Sequence, residues 1–157
     1  MRLKENIVPR GKIEARVFRN GGLIDSFVEE NLILNGARRQ LARLIAGNVE
    51  DRHITRIAFG TNGNPASDED EELENEYQKD ISGLSFPSPG SVRFDWLLDT
   101  SEYNGEAVIE FGLRCADGTL FSRRVRDKPI PKEYDISIEG SWTISFEPVP
   151  EIIPEEE

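Results

Sequence analysis

The stretch "YDISIEGSWTISF", Tyr134 to Phe146, constrains the fold of this chain more than any other. Tyr134, Ile136, Ile138, Trp142, Ile144 and Phe146 share one parity, while Asp135, Ser137, Glu139, Ser141, Thr143 and Ser145 share the other. A period of two fits a pleated strand with one apolar face, and it excludes a helix, whose apolar positions recur about every 3.6 residues. Gly140 interrupts the apolar parity, and a glycine there predicts a bulge or a bend.

The same alternation recurs along the chain. In "KIEARVFRN" Ile13, Ala15 and Val17 alternate with Lys12, Glu14 and Arg16, and Asn20-Gly21-Gly22 then turns the chain into "LIDSFV", a hairpin signal. "HITRIAFG" reads as a buried strand and "ISGLSF" as another, stopped by Pro87 and Pro89. "SVRFDWLL" sets Val92, Phe94, Trp96 and Leu98 against Arg93, Asp95 and Leu97. "AVIEFGLRC" places Ala107, Ile109, Phe111, Leu113 and Cys115 on one side, and Asp117-Gly118 turns into "TLFSRRV".

One helix interrupts these strands. Asn35 is a good N-cap, Ala37, Leu41, Leu44 and Ile45 form an apolar stripe, Arg38, Arg39 and Arg43 lie off it, and Gly47-Asn48 ends it. Asn62 to Glu76 is a polar loop, with a short helical turn as one reading of "EELENEY". Together these signals predict a mainly β chain, an antiparallel β-sandwich or barrel-like fold with one amphipathic helix plugging an end; α+β is the alternative. The 157 residues suit a single β-rich domain over 1–147, followed by an acidic, proline-rich tail over 148–157, "PVPEIIPEEE", that lacks its own fold.

Charge narrows the partners. The net charge is -11 and the pI about 4.7, which argues against nucleic acid or an anionic membrane, since clustered Lys and Arg hold both. No apolar run approaches the roughly 18 residues of a membrane span, and "MRLKENIVPRGK" has no apolar signal core, so the expectation is a soluble protein made in the cytosol. Cys115 is the only cysteine, which removes intrachain disulfides, CxxC pairs and cysteine-based zinc sites. A metal site would need carboxylates and, at most, the single His53.

Each chemical motif meets a plainer reading. Gly60 and Gly63 after a strand suggest a phosphate cradle, but Asn64-Pro65 follows and no basic residue occurs until Lys79, so the glycines read as a turn. Asp68, Asp70 and Glu72 have the spacing of calcium ligands, yet Leu73 stands where a calcium loop needs glycine; the run Asp68, Glu69, Asp70, Glu71 and onward to Glu76 reads as a solvated loop or docking surface. His53 has no nucleophile motif beside it, and Cys115 sits on the apolar parity of its strand. Asp95 and Glu110, if on neighbouring strands, could serve as the acid and base of a small hydrolase; otherwise they are solvated charges matched to Arg93 and Arg114. Trp96 and Trp142 fall on core parities, which leaves Tyr103, in the "SEYNGE" turn, as the exposed aromatic of a sugar-binding surface. Arg123, Arg124, Arg126 and Lys128 form a basic cluster that, in so acidic a chain, points to pairing with Asp68–Glu76 or with Glu155–Glu157, within or between subunits.

Four stretches in order carry a family likeness: "ENLILNGARRQLARLIAGN", "ITRIAFGTNGNPASDEDEEL", "VIEFGLRCADGTLFSRR" and "SWTISF". A helix ending at glycine, an I-x-x-I-A-x-G strand, a turn into D-x-x-L, and an E-x-G-L strand with a D-G-x-L hairpin resemble bacteriophage and prophage tail-associated structural proteins of the tail-fibre, collar and tail-tip kind. The likeness spans most of Asn31 to Phe146; the acidic run is longer than in that pattern and the tail has no counterpart in it. The resemblance implies an assembly protein in a virion tail without catalytic residues or cofactor, whose partners are further copies of itself or other tail proteins. A carbohydrate-binding β-sandwich, such as a host-receptor module, is the second reading and a small carboxylate hydrolase the third.

Overall fold

The computed structural model describes the backbone of residues 2–6 and 8–153 and the side chains of residues 8–31 and 33–148. In chain order the elements are β1 (Arg2–Asn6), β2 (Arg10–Arg19), β3 (Gly22–Leu32), α1 (Asn35–Ile45), β4 (Ile54–Gly60), β5 (Tyr77–Asp80), β6 (Gly83–Ser88), β7 (Ser91–Leu98), β8 (Ala107–Cys115), β9 (Leu120–Pro131), β10 (Ile136–Ser145) and β11 (Val149–Ile153). One sheet runs β3-β2-β10-β7-β6, a second runs β5-β4-β8-β9, and every pairing is antiparallel. The chain is therefore mostly β, two sheets packed as a sandwich with one short helix.

β10, the strand with the cleanest alternation, lies at the centre of the five-stranded sheet. Ile136, Ile138, Trp142 and Ile144 are buried against the other sheet, and the two sheets meet through aromatic edges. Phe59 of β4 stands edge-on to Trp96 of β7 at 5.6 Å and to Phe111 of β8 at 5.8 Å. Such contacts add specific geometry to the burial that drives the packing.

Several expectations change in detail. No bulge or bend occurs at Gly140; its pairing is continuous with β2 and β7. A Cβ there would lie 2.1 Å from the Glu14 carbonyl oxygen and 2.7 Å from Cζ2 of Trp96, so the glycine makes room for an indole ring. In β8 the register shifts between Val108 and Glu110, which turns Val108 into the core and leaves Ala107 exposed and Ile109 half-buried. Tyr134 and Phe146 lie outside β10 and are exposed.

The helix also differs from its apolar stripe. Leu34 occupies the N-cap, while Asn35 is the first helical residue and accepts a 2.5 Å hydrogen bond from Nη1 of Arg38. Ile45 is 88% exposed, and the buried helical residues are Ala37 and the polar Gln40. Gln40 donates to both Asp117 carboxylate oxygens at 2.9 and 2.8 Å and accepts from Nη1 of Arg52 at 2.8 Å, tying the helix to the β8–β9 turn. "EELENEY" forms no helical turn and leads into β5.

The tail is not wholly unstructured: β11 pairs antiparallel with β1 from Arg2↔Ile153 to Asn6↔Val149 in a ribbon hydrogen-bonded to neither main sheet. A two-stranded ribbon tolerates Pro150 because only one side of each strand needs donors. Residues 154–157, and with them the Glu155–Glu157 run, lie outside the described residues. Among the described residues no helix is long and apolar enough to cross a membrane.

Candidate interaction surface

Alternation along β4 and β8 sends Phe59, Phe111 and Leu113 into the sandwich, which leaves Ala58, Glu110, Gly112 and Arg114 on the other face of the four-stranded sheet. Residues 61–76 fold over that face. Ala58, Leu34, Leu120 and Leu73, the apolar residue within the acidic run, make a second small core. Glycine permits the approach: a Cβ at Gly60 would sit 2.6 Å from Oε2 of Glu110, and one at Gly112 would sit 3.1 Å from Cδ1 of Leu73.

A buried ion pair clasps this cover. Nε of Arg123 donates to Oε1 of Glu110 at 2.9 Å, with the side chains 2% and 0% exposed. Oε2 of Glu110 accepts the backbone N–H groups of Asn62 at 2.6 Å and Glu74 at 3.0 Å, from the two ends of the loop. Arg123 also donates to Asp70 at 2.8 Å and to the carbonyls of Asn62 and Asn64, both at 3.1 Å. Arg114 repeats the arrangement beside it, reaching Glu76 at 2.9 and 2.5 Å and the carbonyls of Glu71 and Gly118. Burial, the largest influence on Glu76, pushes its carboxyl up. The hydrogen bond and charge of Arg114, the Gln78 amide and the Leu73 N–H together outweigh it and hold the carboxyl below its ordinary 4.5.

These contacts correct two expectations. The acidic segment is not simply a solvated loop: Glu69, Glu71 and Glu72 are exposed, but Asp70 and Glu76 are engaged by arginines. Glu110 is not a solvated charge, and Asp95 lies in the other sheet, on β7, ion-paired with Arg93 at 2.9 Å. The two carboxylates are thus not on neighbouring strands.

The rest of the basic cluster lies along the seam between β3 and β9, the terminal strands of the two sheets. Pairing with β2 sets Asp25, Phe27 and Glu29 opposite Val17, Ala15 and Ile13, so they face inward. Arg124 meets Glu29 at 2.5 Å, while Arg126 meets Asp25 at 3.3 Å and stacks over the Phe27 ring at 4.2 Å. Lys128 is exposed at the end of the row. The inward carboxylates were not readable from the Asn20-Gly21 hairpin, because the register shifts between Val17 and Phe18 and sets Asp25 opposite Val17 where a regular hairpin would set Ile24.

The remaining motif residues are placed as follows. Among the described residues no three His, Cys, Asp or Glu side chains are grouped to hold a metal, so Asp68, Asp70 and Glu72 are not brought together as ligands. His53 is exposed just before β4, and Cys115 is buried, its thiol pushed up to about 11 chiefly by desolvation. Trp96 and Trp142 are buried in the core. Tyr103, expected to be exposed, is half-buried with positive φ (56°). It stacks on Tyr77 at 5.6 Å and donates to the Asn75 carbonyl at 2.6 Å, and burial is the main cause that pushes its hydroxyl up to about 12.

The exposed apolar surface gathers on the edges of the five-stranded sheet. β3 presents Leu23, Ile24 and Val28, and β6 presents Leu84, 60% exposed, and Phe86, 73% exposed. From Ile81 to Val92 the chain has no charged residue, although it carries 30 acidic and 19 basic residues overall. Natural edge strands are usually blunted by charge. β6 has Pro87 and a register shift between Ser85 and Ser88, which leave Gly83–Ser85 regularly paired with β7 and Phe86 exposed within the shift.

Comparison with family models, curated proteins and solved structures yields no match to this chain.

Proposed function

We propose that this chain is a structural protein that works by protein–protein contact, of the tail-associated bacteriophage or prophage kind, and that β6 is its principal contact edge. The observation that carries the reading is the uncharged, exposed Leu84–Phe86 edge on a chain of net charge -11. Copies so charged repel one another, and an edge free of charge is where that repulsion is least and apolar burial greatest. Pairing of β6 with β6 of a second copy would extend the five-stranded sheet across a two-fold axis, an isologous contact that needs no other partner.

The likeness of the ordered motifs to tail proteins supplies the virion setting. Two of its four segments coincide with the clasped cover, from β4 through residues 61–76 and in the β8–β9 hairpin, so they read as scaffold and not as chemistry. The sugar-binding reading loses Trp96 and Trp142 to the core, and the hydrolase reading loses its carboxylate pair to two sheets.

Mass photometry tests the contact. The unaltered chain is expected to form dimers that Phe86→Lys reduces to monomers; dimers of equal strength in both would contradict the use of β6. Tail, baseplate or capsid genes beside its gene would support the virion setting, and a metabolic operon would contradict it.

A further inference from the structure

β6 and β7 join through a two-residue loop, Pro89-Gly90, between the paired Ser88 and Ser91. Two-residue hairpin loops favour turns with positive φ at their central residues, because those turns follow the twist of the strands they connect. Pro89 holds φ negative, and Gly90 is not among the glycines with positive φ. A loop of this chemistry splays its strands, and the register slips between Ser85 and Ser88, where Phe86 lies exposed.

The turn is held from beyond the end of β10. Oε1 of Glu147 accepts hydrogen bonds from Oγ of Ser88 at 2.7 Å and from the Gly90 N–H at 2.8 Å. The Phe146 N–H donates to the Gly90 carbonyl at 2.8 Å. The backbone of Glu147 is fixed in turn: its carbonyl accepts from Nη2 of Arg10 at 3.2 Å, and its N–H donates to Oγ of Ser145 at 3.3 Å. Gly90 permits the approach, since a Cβ there would lie 2.7 Å from the same Oε1. The Ser88 hydroxyl, followed by the Gly90 N–H, holds the Glu147 carboxyl below its ordinary 4.5, so the acceptor is ionised at neutral pH and its hydrogen bonds are of the stronger, charge-assisted kind.

Resting on the β6 reading above, we propose that Glu147 is the positioning residue of the contact edge, locking the β6–β7 turn so that Leu84 and Phe86 meet a second copy in one arrangement. Pairing through an edge needs the backbone groups and the apolar side chains in place together. A turn left to its own loop chemistry presents them in several arrangements, and association then has to order them at a cost to affinity. Glu147 meets that cost within each copy, before contact. It does so from outside the uncharged Ile81–Val92 segment, which therefore gains a fixed shape without a charge of its own.

Hydrogen exchange and mass photometry on the full chain test the proposal. At a concentration where the chain is monomeric, Glu147→Ala is expected to speed exchange in Gly83–Ser91 and to leave β2 and β8 unchanged, with the urea midpoint of unfolding almost unmoved. Its dimers are expected to be about tenfold weaker than those of the unaltered chain. Glu147→Gln keeps Oε1 as an acceptor and is expected to recover most of both effects. Gly90→Ala, which displaces the carboxylate without altering Glu147, is expected to match Glu147→Ala. Unchanged exchange in Glu147→Ala, dimers of unaltered strength, or a Gln variant no better than the Ala variant would overturn the proposal. Dimers indifferent to Phe86→Lys would instead count against the β6 reading, whereas exchange in the monomer reads the hold of Glu147 on the turn by itself.

Discussion

Arg123 and Glu110 lie 2.9 Å apart in adjacent antiparallel strands, and their side chains are almost fully removed from water. The pair does more than neutralise two charges. Glu110 fastens both ends of the 61–76 segment through backbone N–H groups, and Arg123 fastens its middle through Asp70 and two carbonyls. A segment that begins with a glycine turn and continues as a run of like charges is thus anchored at both ends and in the middle by one buried ion pair, with Arg114 adding the Glu71 carbonyl and Glu76.

Glu110→Gln is therefore expected to destabilise the fold by about 3–5 kcal/mol, since it leaves Arg123 buried with less compensating charge. Urea unfolding checks the magnitude. Limited proteolysis checks the location, with new cleavage expected between residues 61 and 76; a loss under about 1 kcal/mol with no new cleavage would contradict the clasp.

Gly112→Ala and Gly140→Ala should each cost about 1–3 kcal/mol, and the second more than the first. At Gly112 the new methyl meets the ends of the Leu73 and Leu120 side chains at 3.1 and 3.0 Å, which can shift, and the Ser122 carbonyl oxygen at 3.2 Å, a small overlap; at Gly140 it meets a backbone oxygen at 2.1 Å and an indole ring, which cannot shift. Thermal unfolding of both variants gives the ranking, and equal midpoints would remove the argument.

Acid should loosen the cover through Glu76. Its folded carboxyl titrates below its ordinary 4.5, so its contribution to stability is fully present above that value and is lost as pH falls through the folded one. Stability measured from about pH 6 to about pH 3 should fall less steeply in Glu76→Gln than in the unaltered chain. Parallel curves would show that the Arg114 pairing adds nothing.

Cys115 should resist thiol reagents while the chain is folded. Its thiol, buried and raised to about 11, presents almost no thiolate at neutral pH. Labelling is expected to track unfolding in denaturant, and rapid labelling of the native chain would contradict its burial.

The sheets were legible in the sequence because β2, β7 and β10 each carry one apolar and one polar parity, and Asn20-Gly21 and Asp117-Gly118 mark hairpins. The clasp was less so. Glu110 sits on the polar parity of β8, a position that normally means solvent, and only the return of residues 61–76 over that face buries it. The shift beside Val108 misled for a related reason, since the residues before it face opposite to the alternation that holds after it: Phe111, Leu113 and Cys115 are buried as their parity requires, whereas Ala107 and Ile109 leave the core to Val108. The helix stripe failed at Ile45 because the helix docks through its first turns, where Gly36 approaches Leu120 and Gln40 reaches Asp117. The β6 edge left a plainer mark, twelve residues from Ile81 to Val92 without a charge, whose meaning depends on knowing that β6 ends its sheet.

Amide hydrogen exchange of Gly83–Ser88 at low and high protein concentration tests contact through β6 most directly. The account predicts that exchange in this strand slows as concentration rises, and that Phe86→Lys abolishes the slowing while exchange in β10 stays unchanged. Exchange in β6 that is indifferent to concentration would contradict it.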